Sequence, residues 1–357
     1  MRLDDLPTPA LVVDLDRLEN NIQTMAKHAS RLGVRLRPHV KTHKCLQIGR
    51  MQLAAGASGI TVSTIDEARA FADAGFDDIT WAFPLIPSRC AEAVEIARRV
   101  ELGVLVDSTE AIGWLAATGF PFKTWIKVDC GYGRAGAQPN LPTLGPLVKA
   151  IETAGLRFAG LLSHSGNAYD ANTAALRAEV TAGERDTMVA VSGELAGAGF
   201  AVPDLSTGST PGTTAADSLE GVTEVRPGNY AFFDRDQLAL GSCTETDVAL
   251  SVISTVVSRA EHHSICDAGA LVLSKDPGPD DRSMGDVWSD YDGGRLEADL
   301  RVTGLSQEHG KLSAPVPLGT RLRIMPNHSC LTAACFSSMY AVRGDHVEET
   351  WKIWNSR

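Results

Sequence analysis

Apolar positions along the chain change period in a way that divides it in two. Between residues 15 and 32, Leu15, Leu18, Ile22, Met25, Ala29 and Leu32 recur at the spacing of one helix face, and Gly33 supplies a stop. Eight short apolar segments follow at 34–38, 59–63, 78–82, 102–106, 124–129, 157–163, 203–206 and 223–226, each the length of a buried strand. Helical patterns separate most of them, for example at 64–74, 88–99, 108–117 and 171–198. Eight strand–helix units over this length predict a closed parallel barrel rather than an open sheet. The rhythm breaks near Gly241, after which short β-type runs (249–257, 264–266, 322–324, 339–342) stand between Gly and Pro clusters such as Pro277-Gly278-Pro279 and Gly293-Gly294. The expected fold is therefore α/β: a (β/α)8 barrel over 15–240, and an antiparallel β-domain formed by 1–14 and 241–357, with residues 8–14 as a joining strand.

Composition narrows the partners. The 357 residues are 44% hydrophobic and 22% charged, ordinary for a globular chain with a full core. A formal charge of −11 argues against nucleic acid or an anionic membrane as the partner. No apolar run approaches membrane-spanning length. The acidic start Met1-Arg2-Leu3-Asp4-Asp5 is expected to lead straight into structure rather than to act as a signal peptide. Seven cysteines without regular spacing fit a reduced, cytoplasmic setting better than a disulfide scaffold.

Against that acidic background the block Arg37-Pro38-His39-Val40-Lys41-Thr42-His43-Lys44 is a local exception. It follows the first strand, so Lys41 stands where a barrel active site belongs, and neighbouring positive charge would favour a nucleophilic amine. A solvated basic turn is the competing reading. Other polar, glycine-bearing turns follow later strands: Asp129–Arg134, His164–Tyr169, Ser206–Gly212 and Arg226–Tyr230. The Ser/Thr/Gly turn after strand seven could cradle a phosphate through backbone N–H groups and hydroxyls, or be a plain surface loop. Late in the chain, His328 and Cys330 lie two apart in Met325-Pro326-Asn327-His328-Ser329-Cys330. An extended segment would point both to one side, giving two ligands for a borderline ion; a buried cysteine beside a satisfied histidine is the alternative. Glu308-His309-Gly310 could add an outer carboxylate, and His262-His263 reads as a surface turn.

Taken together, Asp5–Ala10, Arg37–Lys44, Gly59–Thr64, Asp129–Arg134, Ser206–Pro211, Glu224–Tyr230, Asp267–Gly269, Glu308–Gly310 and Pro326–Cys330 resemble the metal-dependent D-serine dehydratase and D-threonine aldolase family of fold-type III pyridoxal-phosphate (PLP) enzymes. They run in family order over nearly the whole chain. The resemblance implies an alanine racemase-like barrel with PLP at its mouth, a β-domain carrying a divalent metal, and a homodimer. It makes Lys41 the Schiff-base lysine, puts Arg134 near the phenolic oxygen and Tyr169 near the pyridine nitrogen. Thr207, Gly208, Ser209 and Thr210, with Tyr230, would hold the phosphate. His328 and Cys330 become the metal ligands, with Zn²⁺ favoured by the thiolate and Mn²⁺ or Mg²⁺ as alternatives.

The implied substrates are small D-β-hydroxy-α-amino acids. Two reactions share such a site: elimination of the β-hydroxyl to give a 2-keto acid and ammonia, or cleavage of Cα–Cβ to give glycine and an aldehyde. The turn at His164, counted with Lys41 as catalytic, resembles the dehydratase pattern, and so does His-x-Cys where aldolases often carry His-x-Asp. Leu331–Phe336 departs from well-studied members of both branches. A racemase would need a second base opposite Lys41, which the sequence does not offer. Non-catalytic PLP-binding proteins share the barrel but lack the β-domain.

Overall fold

In the computed structural model, which describes residues 1–279 and 283–355, the chain divides by its contacts into two units. One comprises Met25–Lys41 and Gly49–Gly228; the other comprises Met1–Thr24, Thr42–Ile48 and Asn229–Asn355.

The first unit holds eight parallel strands: Arg35–Leu36, Ile60–Val62, Asp78–Pro84, Glu101–Val106, Lys123–Lys127, Arg157–Leu162, Leu205–Thr207 and Glu224–Val225. From the second strand on, each pairs with the next, and the last pairs with the first, Leu36 opposite Val225. A bridge between His39 and Thr61, with Thr61 N donating to the Pro38 carbonyl at 2.8 Å, joins the first strand to the second and completes the ring. All eight segments expected from the sequence hold strands, with their ends shifted by at most two residues. Their near-continuous burial (Ile60, Val62, Ile79, Trp81, Val104, Leu105, Trp125, Ile126, Leu161) is what a parallel strand covered on both faces requires. Gly160 has φ +132°, and a Cβ there would lie 2.0 Å from the Asp204 carbonyl oxygen, so only glycine lets these chains come so close.

The helices begin where polar caps stand. Thr64, Ser108 and Thr173 accept from Glu67 N, Ala111 N and Leu176 N, starting Ile65–Asp73, Thr109–Ala116 and Ala174–Gly197. Leu141–Thr153 was not expected, because Pro142, Gly145 and Pro146 mask its pattern; Asn140 caps it, and Leu144, Leu147, Val148 and Ile151 bury one stripe.

The second unit is built on a nine-stranded sheet, ordered Ser264–Cys266, Gly310–Leu312, Arg295–Leu305, Gly285–Asp290, Arg321–Met325, Leu250–Arg259, Ala10–Asp14, Ser338–Arg343, His346–Lys352. Ser264–Cys266 also pairs with Leu250–Arg259, so six of these strands close on themselves. Ala10–Asp14 does join this sheet, as expected, yet it runs parallel to Ser338–Arg343, so the sheet is mixed rather than purely antiparallel. Arg295–Leu305 and His346–Lys352 escaped the sequence reading because charged side chains occupy most of their exposed positions. Among the described residues no helix is long and apolar enough to cross a membrane.

Candidate active site

In the barrel unit the residues singled out after successive strands do meet. Lys41 lies in the short turn Val40–Thr42, and its backbone N–H points to His39 Nδ1 at 3.5 Å. His164, just past Arg157–Leu162, donates Nδ1–H to the Gly208 carbonyl at 3.1 Å. Burial lowers the His164 pKa to about 3, reinforced by the charges of Lys41 and Arg134. His39 is likewise pushed well below its ordinary value by burial, then by Lys41 and Arg226. Both imidazoles are neutral at physiological pH, in a field that Lys41 helps to set. The Tyr132 ring meets His164 edge-on at 6.1 Å, and Arg134 stacks 5.0 Å from that same Tyr132 on an exposed loop. Asp129 Oδ1 holds the loop by accepting from Gly131, Tyr132 and Gly133 N–H. Tyr169 ends the turn Gly166–Tyr169 with its side chain 39% exposed.

Of the basic neighbours of Lys41 in sequence, Arg37 has its charge balanced by acids. Arg37 is buried and spent on two carboxylates, donating to Asp78 at 2.7 and 2.8 Å and to Glu224 at 2.7 Å. His43 and Lys44 fold with the other unit, where His43 Nδ1 accepts the Cys45 N–H.

Thr207, Gly208, Ser209 and Thr210 form a buried turn. Ser209 caps Thr210–Ala215 by accepting from Gly212 N at 3.2 Å, and Gly228 N donates to Thr210 Oγ1 at 3.2 Å. Gly208 has φ +100°, a conformation that disfavours any side chain. Two buried hydroxyls beside the turn, Ser165 Oγ and Thr213 Oγ1, have no hydrogen-bond partner among the described residues. They lie close to it: a Cβ on Gly208 would sit 3.0 Å from Thr213 Oγ1, and one on Gly212 would sit 3.2 Å from Ser165 Oγ. Buried donors without acceptors around a glycine-opened turn fit an anion of phosphate size. Sequence reasoning missed both hydroxyls, although they flank the very turns it chose.

The β-unit holds the other expected pair, with a different local geometry. His328 and Cys330 do not lie on a strand: Arg321–Met325 has ended, His328 is the N-cap of Ser329–Ala334, and Cys330 sits in that helix's first turn. Alternation along a strand therefore cannot be why they converge; the first turn of a helix does it. Asp234 fixes the turn, its Oδ2 accepting from Ser329 N at 2.8 Å and Oγ at 3.0 Å, while Oδ1 caps Arg235–Ala239 through Gln237 N. Asn229 donates to Asp234 at 2.6 Å and approaches Cys330 Sγ at 3.9 Å, and Cys330 Sγ reaches Thr42 Oγ1 at 3.2 Å. Tyr230, fully buried, belongs to the same unit.

His328 Nδ1 contacts Asp276 Oδ2 at 2.5 Å. Burial alone would lower the His328 pKa, but the hydrogen-bonded Cys330 and Asp276 outweigh it and raise it to about 11. Asp236, Asp276 and His328 carry potential ligand atoms within 4.8 Å of one another. Burial, then the Asp234 charge, raises Asp236 to about 7. A thiol, an imidazole with one nitrogen held by a carboxylate, and a further carboxylate make a donor set that fits a divalent ion. Glu308 and His309 stand exposed in the turn before Gly310–Leu312, so the carboxylate beside His328 is Asp276, a residue the sequence reading passed over as loop.

Residues 13–236 match the model of the alanine racemase N-terminal domain, and residues 249–342 that of the serine dehydratase domain. The chain is 40% identical to the D-threo-3-hydroxyaspartate dehydratase of Delftia sp. (strain HT23), over 97% of each sequence. It is 32% identical to a D-threonine aldolase of Arthrobacter sp., over 97% of this chain and 92% of that one. A crystal structure of the D-threo-3-hydroxyaspartate dehydratase, a cysteine-to-alanine mutant in its metal-free form, superposes with a TM-score of 0.94 at 39% identity, covering 99% of each chain. Barrel and β-unit thus point the same way: the chain belongs to the metal-dependent D-serine dehydratase and D-threonine aldolase family of fold-type III PLP enzymes.

Proposed function

We propose that this chain is a PLP- and divalent-metal-dependent lyase that eliminates the β-hydroxyl from a D-β-hydroxy-α-amino acid, with D-serine and 3-hydroxy-D-aspartate as the leading substrates. The observation that carries the reading is the His328–Cys330 pair, hydrogen-bonded and backed by Asp276, at a position where the chain's family implies a metal. When bound, PLP supplies an electron sink for the α-carbon and the ion a Lewis acid for the β-hydroxyl.

The chain's own groups then divide the work. Lys41 Nζ is the group that would bond the cofactor and, when its amine is free, would take the α-proton. One lysine on one face accounts for selectivity towards the D-configuration. His164 is too weak a base to carry protons at neutral pH; with Nδ1–H given to Gly208, its Nε2 is left as a neutral acceptor that orients polar groups beside Lys41. The Thr207–Thr210 turn, with the hydroxyls of Ser165 and Thr213, would hold the phosphate, a role the family resemblance also gives to Tyr230. Arg134 and Tyr169 are assigned to the cofactor's ring oxygen and nitrogen by the family resemblance. His328 and Cys330 would hold the ion, for which a thiolate and an imidazole favour Zn²⁺. We also read the enzyme as a cytoplasmic homodimer, which sedimentation of the holoenzyme tests directly.

Retro-aldol cleavage is the second reading, favoured by the 32% identity to a D-threonine aldolase over nearly the full chain. Product analysis separates the two. Holoenzyme incubated with D-serine, D-threonine and D-threo-3-hydroxyaspartate is expected to give keto acid and ammonia; glycine with an aldehyde would replace the dehydratase reading by the aldolase one.

A further inference from the structure

Asp276 is carried by a segment built with unusual care for a loop. The short helix Ala270–Leu273 ends at Ser274, which has φ +65°, a left-handed conformation costly for a serine. Its Oγ accepts the Asp276 N–H at 3.3 Å. The Asp276 carbonyl then accepts from Asn327 Nδ2 at 3.1 Å, and the same amide group donates to the Ser283 carbonyl at 2.8 Å. Asn327 directly precedes His328, so one buried side chain ties both sides of the contact together. At Gly278 a Cβ would fall 2.2 Å from Arg235 Nη1 and 3.0 Å from Asn327 Nδ2, so a side chain there would press on the clamp. The outcome of these restraints is a single contact, Asp276 Oδ2 to His328 Nδ1 at 2.5 Å.

An imidazole whose Nδ1–H is given to a carboxylate offers Nε2 to an ion that displaces the proton there, and the hydrogen bond holds its ring in place. We propose that Asp276 is a positioning residue for the metal: it fixes His328 with Nε2 as the ligating nitrogen and sharpens the pair His328–Cys330 for a divalent ion. The inference rests on the metal-dependent reading above and adds to it a residue far from the ligands in sequence.

Co²⁺ titrated into metal-stripped, PLP-loaded protein supplies a test, because thiolate-to-Co²⁺ absorption reports the bond to Cys330 independently of turnover. For Asp276→Asn the affinity for Co²⁺ should fall about 10- to 100-fold, with the band recovered at saturation. Asp276→Glu should restore part of that loss, which a merely space-filling role would not require. Asn327→Ser, which loosens the clamp and leaves the carboxylate, should weaken binding less; it carries the test should Asp276→Asn fail to fold, and parent-like affinity there would then overturn the proposal. Cys330→Ala should lose the absorption altogether. Parent-like Co²⁺ affinity in Asp276→Asn, with the band lost in Cys330→Ala, would overturn the positioning role and leave the metal reading standing. A parent-like band in Cys330→Ala would overturn the metal reading itself.

Discussion

The mouth of the barrel and the His328 turn carry the two halves of the proposed chemistry, and they are made by different rules. At the barrel mouth every candidate sits at or just past the end of a parallel strand: Lys41 after Arg35–Leu36, His164 after Arg157–Leu162, Gly208 after Leu205–Thr207, Arg226 after Glu224–Val225. Position along a strand suffices to bring them together. Around His328 nothing repeats. Thr42, Asn229 with Asp234, Asp276 and Cys330 come from four separate stretches, and hydrogen bonds rather than a strand pattern decide which of them touch. One region is robust to local change and legible in advance; the other depends on each clamp.

Breaking the first region at its centre should have the largest consequence. Lys41→Ala is expected to lower turnover by about 10³-fold or more and to remove the visible band of lysine-bonded PLP. Persistence of that band after dialysis would show the lysine to be elsewhere. In the second region Cys330→Ala, or chelation of the parent enzyme, should abolish bound metal and turnover while the visible cofactor band stays. Metal analysis beside the spectrum checks both, and a chelated enzyme of full activity would remove the ion from the reaction.

A further experiment asks whether the barrel is as robust as its repetition suggests. Arg37 and Glu224 are 4% and 1% exposed, and Arg37→Ala would take from Glu224 its ion-pair partner inside the ring. A loss of roughly 3–5 kcal/mol, read by denaturant unfolding, is expected from breaking a buried pair. A change below about 1 kcal/mol would mean that the strand ring tolerates what the clamps of the other unit should not.

A last effect, spread over several pH units, sets the two regions against each other. His164 holds a pKa of about 3 when folded against an ordinary 6.5, so between those values only the unfolded chain binds the proton. Its contribution is present above pH 6.5 and is lost as pH falls towards 3. Asp236 is raised from 3.8 to about 7, so the folded metal-free protein keeps a proton that the unfolded chain has released, and stability falls as pH rises from 3.8 towards 7. Melting curves across pH 4–7 on metal-free protein should therefore respond oppositely to the two substitutions: His164→Gln flattens the acid-side loss, and Asp236→Asn flattens the loss on the neutral side. Parallel shifts in both variants would contradict the assignment of either group.

Much of this was readable in advance, with an instructive pattern of exceptions. The strands were legible because burial on both faces demands unbroken apolar runs, and no interior proline disguises them. The helix Leu141–Thr153 was not, because tertiary burial of its apolar stripe outweighs two prolines and a glycine. His328 and Cys330 were chosen for an alternation they do not have; they meet because a helix starts between them. Ser165 and Thr213 were overlooked since a lone hydroxyl in sequence says nothing about whether its partner is missing.

By itself, then, the sequence determined the period of the chain: eight buried runs and their intervening helices, hence a barrel, hence the face on which Lys41 must stand. It also carried the ordered blocks that mark the family. Only the tertiary structure decided which charges are spent, as with Arg37 between Asp78 and Glu224, and which carboxylate stands behind His328. Periodicity follows from burial, which each residue feels locally. Pairing depends on side chains brought within about 3 Å by segments some forty residues or more apart, and no local pattern records that.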